Sequence, residues 1–352
     1  MSGRKQHFIP QSLLKGFGFE KGKRTYVVAY TRDRGIFTPA TDGIGAERNF
    51  YSELSVNGED ETLDDRITDY EQPFTDILPT LRGAPDGGLV DTRMAAAFVT
   101  HLAVRNDHFR KAVTAGGTNL LESMADALND TEQARLMLGM AGDQPSEIFA
   151  AELAKLWTRQ EPLLAALGMS RAQFESWAFQ LAKENFTTFH AELSGPLAGL
   201  FDAMIAKLPE VAASSQRQSL TTDLSPPARV EKMSRFGWRV WHWPTPLLLP
   251  DCVAVAFDAK GQTFPLMFAD LDSVDTIAMP LSSDRLLVGG NDMPAGSPNP
   301  AFARCSWDFF VARERTAPLE EMRGLLRTRI SEFLDQTVLD VLAEQMPEST
   351  PP

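Results

Sequence analysis

The side chains best suited to chemistry near neutral pH are the five histidines His7, His101, His108, His190 and His242. An imidazole titrates close to pH 7, so it can move a proton or ligate a metal through either ring nitrogen. His7 stands in the run Lys5-Gln6-His7-Phe8-Ile9-Pro10-Gln11, where Phe8, Ile9 and Pro10 are expected to dock on the core and hold the ring. Two roles follow for it. It is a general base or metal ligand, or it is a structural histidine that bonds a backbone carbonyl and ties down the amino terminus.

A concrete form of the first role is a His-Asn nuclease site, in which the histidine activates water and a divalent metal holds the phosphate. Asn49 would then orient His7, with Arg48 or Lys5 on a phosphate oxygen. Against it, only six residues precede His7, and 42 positions separate it from Asn49. A second grouping is His101, Arg105 and His108, which the apolar spacing places on one helix and near one face. That stripe could bind an anion, or complete a metal site with Asp107. The surrounding Ala95, Phe98, Val99, Leu102 and Val104 imply burial, and a buried arginine needs a carboxylate partner, for which Glu71 and Glu47 are candidates.

The charge around these residues is uneven. Formal net charge is −13, which argues against a protein that coats nucleic acid non-specifically. Residues 1–48 nonetheless carry a net of +5, and residues 52–76 a net of −8. A local basic face near His7 would suit a phosphate-bearing ligand; the plainer reading is a solvated surface of varying sign. Asp60, Glu61, Asp64, Asp65 and Asp69 read as a solvated helix face. In Arg235 to Trp243 aromatic and basic residues alternate, a pattern that serves stacking or core packing, with packing preferred. The two cysteines, Cys252 and Cys305, have no CxxC spacing, so neither a disulfide scaffold nor a cysteine-based zinc site is expected. No P-loop, dinucleotide-binding glycine pattern, zinc-protease motif or hydrolase nucleophile motif occurs. No apolar run reaches the roughly 18 residues of a membrane span, and no secretory signal pattern follows Met1, so a cytoplasmic protein without membrane association is expected.

The elements that must position these side chains read as α+β: a small N-terminal β-hairpin, a large helical middle, and a C-terminal β-rich region with terminal helices. Thr25 to Tyr30 and Ile36 to Thr38 form the hairpin around Asp33-Arg34-Gly35. Helices are expected from Thr62 to Leu81, kinked or divided at Pro73, and from Asp91 or Thr92 to about Val113, ended by Gly116-Gly117. Two more follow from Asn119 to Leu128 and from Thr131 to Met140. Longer ones run from Ser146 to Leu167 and from Ser170 to Leu208, the latter broken at Gly195-Pro196. Ser214 to Pro227 looks like a linker. Strands then follow between Phe236 and Val288, and helices near Pro300 to Arg313 and Pro318 to Ala343. The domain division expected is 1–212 and 213–352, or one continuous domain.

Several separated stretches resemble the bacterial family catalogued as domain of unknown function 4238. They are Lys5 to Gln11 with Leu14 and Phe17; Val28 to Arg32; Ala46-Glu47-Arg48-Asn49-Phe50-Tyr51; Tyr70-Glu71; Phe98 to Arg105; and Ile277 to Ser282. At Leu249-Pro250-Asp251-Cys252-Val253 only the aspartate and the apolar residue of the family's strand end survive. The resemblance supplies relatives without an activity. Taken with the residues above, it points to a metal-dependent phosphodiesterase or nuclease-like enzyme in bacterial defence or toxicity. His7, Asn49, Glu71 and Arg105 would be catalytic, and Lys5, Gln11, Arg48, Tyr51, His101 and Asp251 ligand-binding. The cofactor is left open, Mg²⁺ or Mn²⁺ being the divalent metal such an enzyme could use, and nucleic acid or another phosphate-bearing ligand would be the partner. The alternative is a non-catalytic binding or regulatory module, with a protein partner, in which His7 is structural.

Overall fold

The computed structural model describes residues 5–51, 62–290 and 296–345. Arg4, the acids Glu53, Glu59, Asp60 and Glu61, and the Pro-ended tail lie outside them. The fold is mixed α+β, with every strand pairing antiparallel. Strand β1 (Lys5–His7) leads into helix α1 (Gln11–Leu14), followed by β2 (Phe19–Lys21), β3 (Arg24–Tyr26), β4 (Val28–Thr31), β5 (Gly35–Phe37) and β6 (Ala46–Arg48). The expected hairpin is β4–β5, with Tyr30 opposite Ile36.

The helical part comprises α2 (Leu63–Gly83), α3 (Thr92–Arg105), α4 (Asp107–Asn129), α5 (Thr131–Met137), α6 (Glu147–Ala166), α7 (Arg171–Glu184), α8 (Phe186–Thr222) and α9 (Pro227–Met233), with the short β7 (Gly88–Leu89) between α2 and α3. Then come β8 (Trp238–His242), β9 (Leu249–Pro250), β10 (Val255–Asp258), β11 (Thr263–Pro265), β12 (Val274–Ser282) and β13 (Arg285–Gly290). The described chain ends with α10 (Asn299–Cys305), β14 (Phe309–Ala312), α11 (Ala317–Met322) and α12 (Thr328–Gln345).

Among the described residues the strands form a sheet in the order β11-β10-β12-β13-β8-β7, another in the order β5-β4-β14-β9, and the pairs β1-β6 and β2-β3. Two compact units result: residues 1–114 with 209–333, and residues 115–208 with 334–352. The first holds both larger sheets and a core running from Phe8, Ile9 and Phe17 to Phe310 and Val311. The second is helical, and its core gathers Ala134, Met140, Leu153, Phe179 and Phe186.

Local signals explain where α2 and α3 begin. Thr62 and Asp65 form a reciprocal capping box at the start of α2, and the Asp91 carboxylate accepts the Met94 amide (2.7 Å) at the start of α3. Elsewhere the structure corrects the sequence expectations. Pro73 and Pro79 both sit inside a continuous α2, and Pro196 inside a continuous α8. All three are exposed, so the carbonyls they free can be met by water. The helix carrying His101 stops at Arg105, where extended Asn106 separates α3 from α4, and α4 passes through Gly116-Gly117. Gln216 of α8 stabilises that break by donating to the carbonyls of Val104 and Asn106, each at 2.9 Å. Most of the expected linker is helix, since α8 reaches Thr222. Phe309–Ala312 is not helix but strand β14, inserted between β4 and β9. In β8 it is Trp238 and Val240 that face the core, with Trp241 half-buried.

Candidate functional site

Two groups of polar side chains lie inside the first unit. One surrounds the amino-terminal strand. β1 pairs with β6 so that Lys5 faces Arg48, Gln6 faces Glu47 and His7 faces Ala46. The chain then turns inward, with the Phe8 and Ile9 amides both donating to the Gly45 carbonyl (2.9 and 3.1 Å). A Cβ at Gly45 (φ +64°) would come within 3.0 Å of the Ile9 Cβ, so glycine is needed there. Ile9, Leu13 and Phe17 are fully buried, each stabilising the fold by about 1.5–3 kcal/mol. Arg82 of α2 donates to the Ser12 and Leu281 carbonyls (3.0 and 2.9 Å) and holds α1 against β12.

Behind β1 is a buried hub. Arg105 pairs with Glu71 and also donates to the backbone carbonyl of His7. The same Glu71 oxygen lies 2.9 Å from His101 Nε2, while His101 Nδ1 lies 2.8 Å from the Leu224 carbonyl. Both ring nitrogens therefore face oxygens, and Arg105 Nη1 also approaches Nε2 (3.5 Å). Burial pushes the imidazole's pKa down to about 4, against the pull of the Leu224 carbonyl. Tyr51 donates its hydroxyl to the Arg105 carbonyl (2.8 Å), and its amide donates to Gln6 Oε1 (2.5 Å). Asp64, also bonded to the Gln6 side chain, is half-buried and pushed up by that burial, so it is not part of a fully solvated face.

The His7 ring makes no hydrogen bond to this ion pair among the described residues. Its Nε2 lies 3.0 Å from Gln11 Nε2, and its buried Nδ1 has no hydrogen-bond partner among the described residues. Burial, then the charges of Lys5 and Arg105, push its pKa below the usual histidine value, so the ring is neutral at pH 7. Gln11 continues into a small cleft of about 180 Å³ with Lys15, Lys23, Arg24, Thr25, Ala40, Thr41 and Asp42, and Lys5 donates to the Asp42 carbonyl at its edge. Asn49 is exposed, takes φ +56° as asparagine tolerates, and makes no hydrogen bond to His7 among the described residues. Arg48 is exposed. The expected cluster is thus brought together in part: Glu71, His101, Arg105 and Tyr51 touch one another, His7 joins through its carbonyl, and Asn49 stands apart.

The second group contains Asp251, His108 and Cys252, all buried. His108 is therefore not on the helix of His101 and Arg105 but in the first turn of α4, where its Nε2 donates to the Cys305 carbonyl (2.9 Å). Burial pushes it down to about 4. Asp251 accepts the amides of Trp307, Asp308 and Phe309, and burial pushes it up to about 7 against their pull. Cys252 and Cys305 are free thiols, raised by burial. One ligand atom from each of His108, Asp251 and Cys252 lies within 4.8 Å of the other two. Sequence reasoning selected Asp251 and His108 separately, the latter with His101, Arg105 and Asp107, and passed over Cys252, because the signal that joins the three is tertiary. A cleft of about 360 Å³, lined by Phe8, Arg34, Glu47, Asp107, Lys111, Asp308 and Phe309 among others, reaches the loop that holds Asp251.

Comparison with curated proteins and with solved structures gives no match. A family model does match. It spans residues 5–299 and takes in β1, the Glu71–His101–Arg105 hub, His108, Asp251 and Cys252, and it ends before Cys305 and β14. That span is most of the 352-residue chain, which therefore belongs to the family described as Protein of unknown function (DUF4238).

Proposed function

We propose that the protein binds a phosphate-bearing ligand in the cleft beside His7, and that His7 serves as general base in a phosphodiesterase or nuclease-type reaction. One observation carries this reading: a half-buried, neutral imidazole contacts Gln11, a residue that lines a cleft with three cationic side chains. Lys15, Lys23 and Arg24 supply charge for phosphate oxygens, and Arg24 adds a planar fork. An unprotonated imidazole is the form that accepts a proton from water or a hydroxyl. Any Mg²⁺ or Mn²⁺ would act at the phosphate, lowering the charge that the base must work against.

The test is incubation of the purified chain with single- and double-stranded DNA, RNA and a small phosphodiester, with Mg²⁺, Mn²⁺ or chelator. Activity is expected to fall by about 10²–10⁴ in His7→Ala without a matching fall in thermal midpoint. Lys23→Glu and Arg24→Glu are expected to raise KM and flatten the salt dependence. Intact substrates under every condition would remove this reading.

A second reading is favoured by the Arg105 contact to the His7 carbonyl. There β1 is a strap fastened to the helices, and the chain is a non-catalytic binding or regulatory module. It predicts that Arg105→Met, which removes the donor to the His7 carbonyl, lowers the thermal midpoint while ligand binding in the cleft persists.

A further inference from the structure

Successive side chains of an extended segment point to opposite sides, so neighbours in sequence do not normally reach one point. Asp251 and Cys252 do, because the chain turns sharply around them. The Val253 amide donates to the Pro250 carbonyl (3.0 Å), the Ala254 amide donates to the Cys252 carbonyl (2.8 Å), and Val253 takes φ +61°. A β-branched residue adopts that value only where its surroundings impose it. Facing this turn is His108, from the first turn of α4.

The donor chemistry of the three is complementary. Since the Cys305 carbonyl can only accept, His108 Nε2 carries the proton of the neutral ring and Nδ1 keeps its lone pair. Fixing one ring nitrogen on a carbonyl is how metal-ligating histidines are oriented. Asp251 Oδ2 takes the Asp308 and Phe309 amides (2.6 and 3.1 Å) and shares the Trp307 amide (3.1 Å). Oδ1 takes the Trp307 amide alone (2.8 Å), so one of its acceptor sites stays open. Cys252 is a free, buried thiol.

We infer that His108, Asp251 and Cys252 form a closed site for a borderline-soft divalent cation, zinc by ligand type. A carboxylate and a thiolate buried together need a compensating charge of two, which this ion supplies. Binding deprotonates the thiol and releases its proton to solvent. Being buried, the site is structural: it fastens the start of α4 to the β9 turn and to the loop before β14. It is separate from the cleft beside His7, and its test is independent of any activity.

Full-length protein, purified in a thiol-free reductant, is loaded with Co²⁺ or Zn²⁺ and passed over chelating resin. About one ion per chain is expected to be retained. The cobalt form should show a thiolate-to-metal charge-transfer band that zinc displaces. The zinc form should melt at a higher temperature than the chelated protein. Cys252→Ser and His108→Gln, checked for folding by circular dichroism, should lose both band and metal. Should they not fold, X-ray absorption of the wild-type zinc form decides the matter, since a sulfur neighbour at about 2.3 Å beside nitrogen or oxygen at about 2.0–2.2 Å is expected. Wild-type protein that retains no metal, a zinc shell without sulfur, or a folded Cys252→Ser variant that keeps the charge-transfer band would overturn the site.

Discussion

Arg105 is the residue on which the amino-terminal hub converges, since it meets the Glu71 carboxylate and the His7 carbonyl while only 2% exposed. Removing its counter-charge should be worse than removing the pair. Glu71→Ala is expected to cost roughly 3 kcal/mol in urea denaturation, and Glu71→Leu with Arg105→Met should recover much of that loss. Equal losses in the single and double variants would show that the carboxylate does not compensate Arg105. His108 carries a pH signature. Its folded pKa, about 4, lies below the unfolded value of 6.5, so the unfolded chain binds more protons between them. Its contribution is complete above pH 6.5 and is lost as pH falls towards 4, amounting to roughly 3 kcal/mol. Asp251 works in the opposite sense, its contribution being lost as pH rises from 3.8 to about 7. The difference between wild type and His108→Gln, followed in metal-free protein by denaturation from pH 4 to 7.5, isolates the histidine. A pH-independent difference would count against a buried neutral ring.

At the scale of elements, the break between α3 and α4 decides which histidine goes to which site. A continuous helix would carry His108 around with His101 and Arg105. Instead Asn106 is extended, Arg105 ends α3 at the hub, and His108 opens α4 beside Asp251. Gln216 holds this geometry from α8, donating to Val104 and Asn106 and accepting from Arg110 (2.5 Å). Gln216→Leu leaves two carbonyls and a guanidinium NH without that partner, so a loss of about 1–3 kcal/mol per unsatisfied group is expected, read by calorimetry. A variant as stable as wild type would mean that the break is set by the chain on either side. The Val253 turn is the other such device: its backbone strain of about 1–3 kcal/mol is offset by full burial of the side chain and by the two turn hydrogen bonds.

For the molecule as a whole, the two units differ in how they are stabilised. The first has two antiparallel sheets around an extensive core. The second relies on a small cluster about Phe179 and Phe186, with Leu163, Trp177 and Leu193 exposed. Amides of α5–α7 are therefore expected to exchange with deuterium faster than those of β12 and β13. Phe179→Ala, which costs about 3–5 kcal/mol where it is buried, should raise exchange in α6 and α7 while β12 and β13 stay protected. Uniform acceleration along the chain would mean that the units open together.

By itself the sequence determined the α+β class, the β4–β5 hairpin, the starts of α2 and α3, and the need of a buried Arg105 for a carboxylate. Each rests on information within a few residues: strand propensity around a turn, caps of the Thr62–Asp65 and Asp91 type, and i, i+4 spacing. Local pattern also misled where it allowed the prolines to divide α2 or break α8, since both helices run past them with the freed carbonyls open to water. Only the tertiary structure decided that β14 enters beside β4, because Phe309–Ala312 is a short apolar run that suits strand or helix alike. It alone brought His108 to Asp251 and Cys252, residues distant in the chain whose meeting depends on a helix break, a left-handed turn and a loop of donating amides.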